Sequence, residues 1–198
     1  MIADIIAKLI RFICGASLRG ETKVPDQAVY FSNHTSHLDA LLIWASLPKQ
    51  TRQLTRPVAA RDYWTRFPWR RWLAQNVFNA ILIDRDRVTR QDNPVRHFID
   101  ALKAGASLII FPEGTRNSHN DVAPFKAGLF HLARACKSVP LVPLHLGNLN
   151  RILPRGEILP VPFLSTISFG SALQLERGEA KPAFLTRTRN SVINLAHS

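Results

Sequence analysis

The residues best suited to acid–base chemistry in this chain stand five apart, at His34 and Asp39, within Asn33-His34-Thr35-Ser36-His37-Leu38-Asp39. An imidazole titrates near neutral pH and can take a proton from a hydroxyl. A carboxylate in reach of its other ring nitrogen would hold the tautomer and the ring's orientation. The same residues admit another reading. Ser36-x-x-Asp39 has the form of a capping box, with Ser36 as N-cap and Asp39 in the first turn of a helix. Five residues is a poor helical spacing for two side chains to meet. A His34–Asp39 pair therefore requires His34 to lie in a loop and the chain to turn before Asp39. The two readings are compatible, because a cap fixes where Asp39 points.

Apolar Ala28–Phe31 before this stretch predicts a buried strand, and Ala40–Ala45 after it predicts a helix. The histidine and the carboxylate thus fall at the carboxyl end of a strand, where open α/β sheets place their ligands. Further strands are expected at Arg56–Ala60, Asn79–Ile83, Ser107–Phe111, Pro140–Leu146 and Leu164–Phe169. Two prolines make the Pro140–Leu146 strand irregular in expectation. Helices are expected from Pro94 to Ala104 with Gly105 closing it, to Lys137 after Phe125, and from Pro182 to Ala196. Gly20–Asp26 reads as a polar connector. The alternation predicts an α/β fold, a single domain with a largely parallel sheet flanked by helices. Residues 1–20 would be an N-terminal amphipathic helical segment and residues 21–198 the domain. In such a sheet the strand ends bearing His34 and Asp39, Arg85, and Glu113 with Arg116 share one rim. A base, carboxylates and two guanidinium groups there suit a hydroxyl to be deprotonated beside a phosphate to be held.

A net charge of +12 over 198 residues calls for an anionic partner: nucleic acid, an anionic membrane surface or a phosphate-bearing substrate. Met1–Ala16 is apolar apart from Asp4, Lys8 and Arg11, which share one helical face. As a helix it spans ~24 Å at ~1.5 Å per residue, short of the ~30 Å hydrocarbon core of a bilayer. It either lies in the membrane interface or packs on the protein's own core. Arg61–Gln75 interleaves Tyr63, Trp64, Phe67, Trp69 and Trp72 with Arg61, Arg66, Arg70 and Arg71. That mixture suits a membrane interface, stacking on single-stranded nucleic acid, or packing of the aromatic face. The N-terminal helix favours the membrane. Basic residues spread along the whole chain without a nucleic-acid-binding signature, so no nucleic acid is expected as partner. Cys14 and Cys136 form no disulfide or metal pattern. His34-x-x-His37 lacks a third ligand at metal spacing, so no metal is expected.

Four segments, in order, resemble the sequence blocks of glycerolipid acyltransferases. The His34-to-Asp39 stretch resembles their His-x4-Asp block. Phe111-Pro112-Glu113-Gly114-Thr115-Arg116 matches Phe-Pro-Glu-Gly-Thr-Arg residue for residue. Ile81–Arg85 is similar to the arginine-ending block between them, and Val139–Leu144 to the closing block. Asn79 and Leu82 depart from the second block, which usually has a glycine and an aromatic residue there. The chain looks most like the 1-acylglycerol-3-phosphate (lysophosphatidic acid) acyltransferases. The resemblance implies His34 as general base and Asp39 as its orienting carboxylate. It implies Arg85, Glu113, Gly114, Thr115, Arg116 and Lys126 around the acceptor's phosphate, and Pro140 and Pro143 on the acyl-donor side. It further implies an acyl-CoA or acyl-carrier-protein donor as substrate, no cofactor, a lysophospholipid acceptor, and an anionic membrane surface at the cytoplasmic face of the inner membrane. Ser36 would not be a nucleophile, and the chain has no Gly-x-Ser-x-Gly. Transfer to another lysolipid, thioester hydrolysis and nucleic-acid binding are the competing functions.

Overall fold

The computed structural model describes residues 2–20, 24–84, 93–117, 121–149 and 164–197. Arg85 lies outside them. In chain order the elements are α1 (Ile2–Ile13), β1 (Ser17–Gly20), β2 (Val29–Ser32), α2 (Asp39–Ser46), α3 (Lys49–Leu54), β3 (Thr55–Ala60), α4 (Arg61–Thr65), α5 (Pro68–Asn76), β4 (Ile81–Ile83), α6 (Pro94–Lys103), β5 (Ser107–Ile110), α7 (Gly128–Ala135), β6 (Leu141–Gly147), β7 (Thr166–Phe169) and α8 (Lys181–Asn194). The strands make one sheet in the order β1-β7-β6-β2-β5-β3-β4. Every neighbouring pair is parallel except β6 and β7.

The centre of the sheet is β2, all four residues of which are buried. Its neighbours β6 and β5 cover both edges, and helices cover both faces, as a continuously apolar parallel strand requires. Tyr30 joins one apolar layer with Leu42, Trp44, Val142 and Ile167, beneath α1 and α2. Val29 and Phe31 join the other with Leu108, Leu129, Leu132 and Phe184, beneath α6, α7 and α8. The expected ends of α6 are present. Asn93 caps it, its side chain accepting from the Val95 N–H at 3.0 Å, and Pro94 stands in the first turn. Gly105 (φ 85°) closes it in a Schellman motif, with Gly105 N–H on Leu102 C=O and Ala106 N–H on Ala101 C=O.

Three local expectations differ from the structure. Ser17–Gly20 is an edge strand parallel to β7, not the end of a helix or the start of a connector. Four exposed residues with one apolar side chain carry no period a sequence reading can detect. The strand at Leu141–Gly147 is regular over seven residues despite Pro143, because its register with β7 begins one residue later, at Leu144. Helix α7 ends at Ala135 rather than near Lys137, with the Cys136 N–H closing on the Leu132 carbonyl at 2.9 Å. The N-terminal helix packs on the core along one side only. Ala7 is buried and Ile6 and Ile10 pack on the core, while Ile2, Ile5, Leu9 and Phe12 stay exposed.

Where β2 ends, Asn33 continues its pairing with β6 through a side chain. The Asn33 Nδ2 donates to the Leu146 carbonyl at 3.0 Å, and its Oδ1 accepts from the Leu146 N–H at 2.9 Å. The carboxamide imitates a backbone amide and fixes where the next residue, His34, leaves the sheet. Asn33→Ala would leave both Leu146 groups buried and unpaired, each costing about 1–3 kcal/mol. The expected loss is about 2–5 kcal/mol, read as a lowered denaturant midpoint at unchanged slope; a loss under ~0.5 kcal/mol would show that the pair contributes nothing.

Candidate active site

His34 and Asp39 meet. The His34 Nδ1 lies 2.8 Å from the Asp39 Oδ2, and both residues are buried. The same Oδ2 accepts the Thr35 N–H at 2.6 Å and the Ser36 N–H at 2.8 Å. The capping-box reading is half present. Asp39 reaches back to the Ser36 amide as the box requires, but Leu38, not Ser36, is the N-cap residue of α2 and makes no side-chain cap bond. The Ser36 Oγ takes only the Leu38 N–H, at 3.3 Å. Because the carboxylate accepts at Nδ1, the imidazole proton resides there, and Nε2 is the nitrogen left to take a proton.

The loop after β5 holds His34 from the other side. The His34 N–H donates to the Glu113 Oε1 at 2.8 Å, and the His34 carbonyl accepts from the Asn117 N–H at 2.8 Å. The Phe111 ring stacks on the imidazole, with centroids 4.1 Å apart and planes 14° off parallel. Glu113 is itself buried, and its Oε2 accepts from the Ala123 N–H at 3.2 Å. Burial pushes its carboxyl above the ordinary carboxylate range, against the opposing pull of the His34 and Ala123 amides. Both of its oxygens are thus taken by backbone N–H groups. Glu113, expected around the acceptor's phosphate, here holds the backbone of His34 and Ala123.

Gly114 turns the loop with φ 76°. A Cβ there would stand 2.6–2.9 Å from the end of the Lys126 side chain, so the glycine lets that side chain lie across the loop. Arg116 and Lys126 line the same cleft as His34, while Thr115 is exposed and does not. Pro140 and Pro143 do not line it either. Their carbonyls accept from Val29 and Gly170, each at 2.9 Å, which ties both residues into the sheet. Asn79 has φ 47°, a conformation that asparagine tolerates better than most residues. That accounts for its standing where the related block usually has glycine.

The cleft holds about 310 Å³ and is mostly apolar. It opens where two strands part. Pairing of β3 with β5 stops at Pro57 and Ile109, after which Val58–Ala60 pair only with β4. Val58, Ala60, Ile110 and Phe111 line the parting. Leu41, Trp64 and Phe78 come from one apolar layer, and Phe98, Leu129 and Leu132 from the other, so the cleft passes through the sheet. Sequence reasoning missed this opening, the Phe111 stack and the Asn117 contact. Pro57, which cannot donate to a ladder, was the available signal for the first.

Residues 16–147 match the family model described as Acyltransferase. The chain belongs to the acyltransferase family. It is 31% identical over 132 residues to a 1-acyl-sn-glycerol-3-phosphate acyltransferase of Escherichia coli, covering 63% of this chain and 51% of the relative. It is 33% identical over 146 residues to 1-acyl-sn-glycerol-3-phosphate acyltransferase alpha of Homo sapiens, covering 70% and 48%. The chloroplastic 1-acyl-sn-glycerol-3-phosphate acyltransferase BAT2 of Brassica napus is 31% identical over 134 residues, covering 65% and 35%. The chain thus spans about a third to a half of the length of these relatives. The crystal structure of PlsC, the 1-acyl-sn-glycerophosphate acyltransferase of Thermotoga maritima, superposes with a TM-score of 0.80 over 99% of this chain and 78% of that one. At 19% identity that likeness shows the acyltransferase fold.

Glu113→Gln separates positioning from phosphate binding. A carboxamide can accept one of the two amides and must face the other with its own N–H₂ group. Stability is expected to fall by about 1–3 kcal/mol in thermal unfolding. Unchanged stability would remove Glu113 from the clamp.

Proposed function

We propose that this chain is an acyltransferase of the membrane surface. It moves a fatty acyl group from acyl-CoA or acyl-carrier protein to the free hydroxyl of 1-acylglycerol-3-phosphate, giving phosphatidic acid. The observation that carries the reading is the His34–Asp39 pair on the wall of an apolar cleft that also holds Arg116 and Lys126. The names of the matched relatives support the acceptor.

In this reading the acceptor's phosphate lies against Arg116 and Lys126, where a guanidinium fork and an ammonium offset its charge. Arg85, outside the described residues, is assigned to the same group. The hydroxyl then stands within reach of the His34 Nε2, which takes its proton as the oxygen attacks the thioester carbonyl. The C–S bond breaks, the new C–O ester bond forms, and the thiolate leaves. His34, protonated and steadied by Asp39, returns the proton to the sulfur. A thiolate is a good leaving group, so one positioned base and a fixed acceptor suffice, with no covalent acyl-enzyme and no cofactor. The acyl chain fits the parted sheet, where Val58, Ile110 and Leu129 offer apolar walls. Among the described residues no helix is long and apolar enough to cross a membrane. In this reading the enzyme meets its lipid at the cytoplasmic face of the inner membrane.

Incubation with acyl-CoA and lysophosphatidic acid tests the reading when free thiol and lipid product are followed together. Equal amounts of the two are expected; thiol without lipid product would make the protein a thioesterase. His34→Ala should lower kcat by about 10²–10⁴-fold in a chain that still folds, the usual worth of a general base. Residual turnover near that of the parent would remove His34 from the role. Arg116→Ala should raise the acceptor KM by about 10–100-fold, the loss of a charged hydrogen bond, with a smaller change in kcat. An unchanged KM would break that assignment.

A further inference from the structure

The aromatic and basic stretch Arg61–Gln75 is not used by the chemistry above, beyond Tyr63 and Trp64 lining the cleft. Its rings divide by burial. Tyr63 and Trp64 are half-buried, with Trp64 edge-on to Phe78 at 5.8 Å. Phe67, Trp69 and Trp72 are 42%, 58% and 49% exposed. Core packing explains the first two rings and not the last three. Helix α5 sets Leu73 and Ala74 against the core and leaves Trp69 and Trp72, three residues apart, on its outer side.

Cations accompany the exposed rings. The Arg70 guanidinium lies 4.6, 5.0 and 5.1 Å from the ring centres of Tyr63, Phe67 and Trp69, and that of Arg66 lies 5.8 Å from Phe67. Arg71 is exposed beside them, and Thr65–Asn76 contains no acidic residue. Rings and guanidinium groups side by side match the two depths of a membrane interface, with aromatic bodies at the headgroup boundary and cations at the lipid phosphates. Exposed apolar side chains also stand outside α5. Ala3 and Asp4 of α1 border the same depression as Gln75 and Asn76. From there α1 presents Ile2, Ile5, Leu9 and Phe12, and α3 presents Leu54. Base stacking would give those aliphatic residues nothing to do, which favours lipid over single-stranded nucleic acid.

We infer that α4 and α5 form a bilayer contact separate from α1, seating Phe67, Trp69 and Trp72 in an anionic lipid surface. Tyr63 and Trp64 on α4 belong to the cleft wall, so this contact holds the wall against the bilayer and lets a lipid enter without crossing water. The inference deepens the membrane-surface reading above and rests on it for the identity of the lipid that enters.

Vesicle partitioning of the full chain tests it without reading turnover. The parent should co-sediment with phosphatidylcholine vesicles containing phosphatidylglycerol, and weakly with phosphatidylcholine alone. The double variant Trp69→Ala/Trp72→Ala should partition at least about tenfold more weakly. The triple variant Arg66→Gln/Arg70→Gln/Arg71→Gln should lose about fivefold per arginine, near a hundredfold in all, while the corresponding lysine triple stays within about threefold of the parent. Brominated lipids should quench the tryptophan emission of the unmodified chain, a readout independent of whether any variant folds. Parent-like partitioning of the folded double variant, or unquenched emission, would overturn the inference. So would binding of a single-stranded oligonucleotide that the same substitutions abolish while vesicle binding persists. In detergent micelles the double variant should turn over like the parent. A parent without turnover that still binds vesicles through these residues would overturn the enzyme reading and leave this contact standing.

Discussion

A single carboxylate oxygen organises the site. The Asp39 Oδ2 takes the His34 ring nitrogen and the amides of Thr35 and Ser36, in a position with no exposure to solvent. Taking a carboxylate out of water costs several kcal/mol, and charge-assisted hydrogen bonds offset that cost. Two of the donors belong to the loop backbone and the third to the imidazole. The contact that shapes the loop therefore also sets the tautomer. It resolves the awkward five-residue spacing: the chain does not bring the two side chains together along a helix but folds the loop around the carboxylate that starts one.

That arrangement reaches the cleft only because β2 and β5 are neighbours. His34 and Glu113 are 79 residues apart, yet their strands pair in parallel and end on the same rim. The β5 loop then closes on His34 from two sides, through Glu113 and Asn117, while Phe111 covers the ring's face. On the other flank Asn33 ties the same loop to β6. A base held at both backbone groups and on one face is a base whose distance to an acceptor is set before the acceptor arrives, which is how positioning lowers a barrier.

The parts legible in the sequence were those whose chemistry is carried by residue type. His34 and Asp39 were readable as a possible pair and Arg116 as a cation on the same rim, as the structure places them, and the apolar runs of β2 and β5 announce central parallel strands. What stayed hidden was set by partners distant in sequence. Nothing local to Glu113 tells that its oxygens face the amides of His34 and Ala123 rather than a phosphate. Nothing local to Pro143 tells that the sheet buries it. The edge strand at Ser17–Gly20 has almost no apolar pattern, and the parting of β3 from β5 exists only once strand order is known. The aromatic and basic stretch was ambiguous because composition does not reveal exposure; half-burial of Trp64 with exposure of Trp69 and Trp72 divides it.

The parted sheet and the clamped imidazole together set an apolar cleft beside a fixed ring nitrogen. All of it depends on which His34 nitrogen carries the proton. A long-range proton–nitrogen correlation spectrum of the imidazole side chains, recorded at mildly alkaline pH, reads this directly. The account predicts that His34 is protonated at Nδ1, with Nε2 bare. A spectrum showing Nε2 protonated and Nδ1 bare would contradict it.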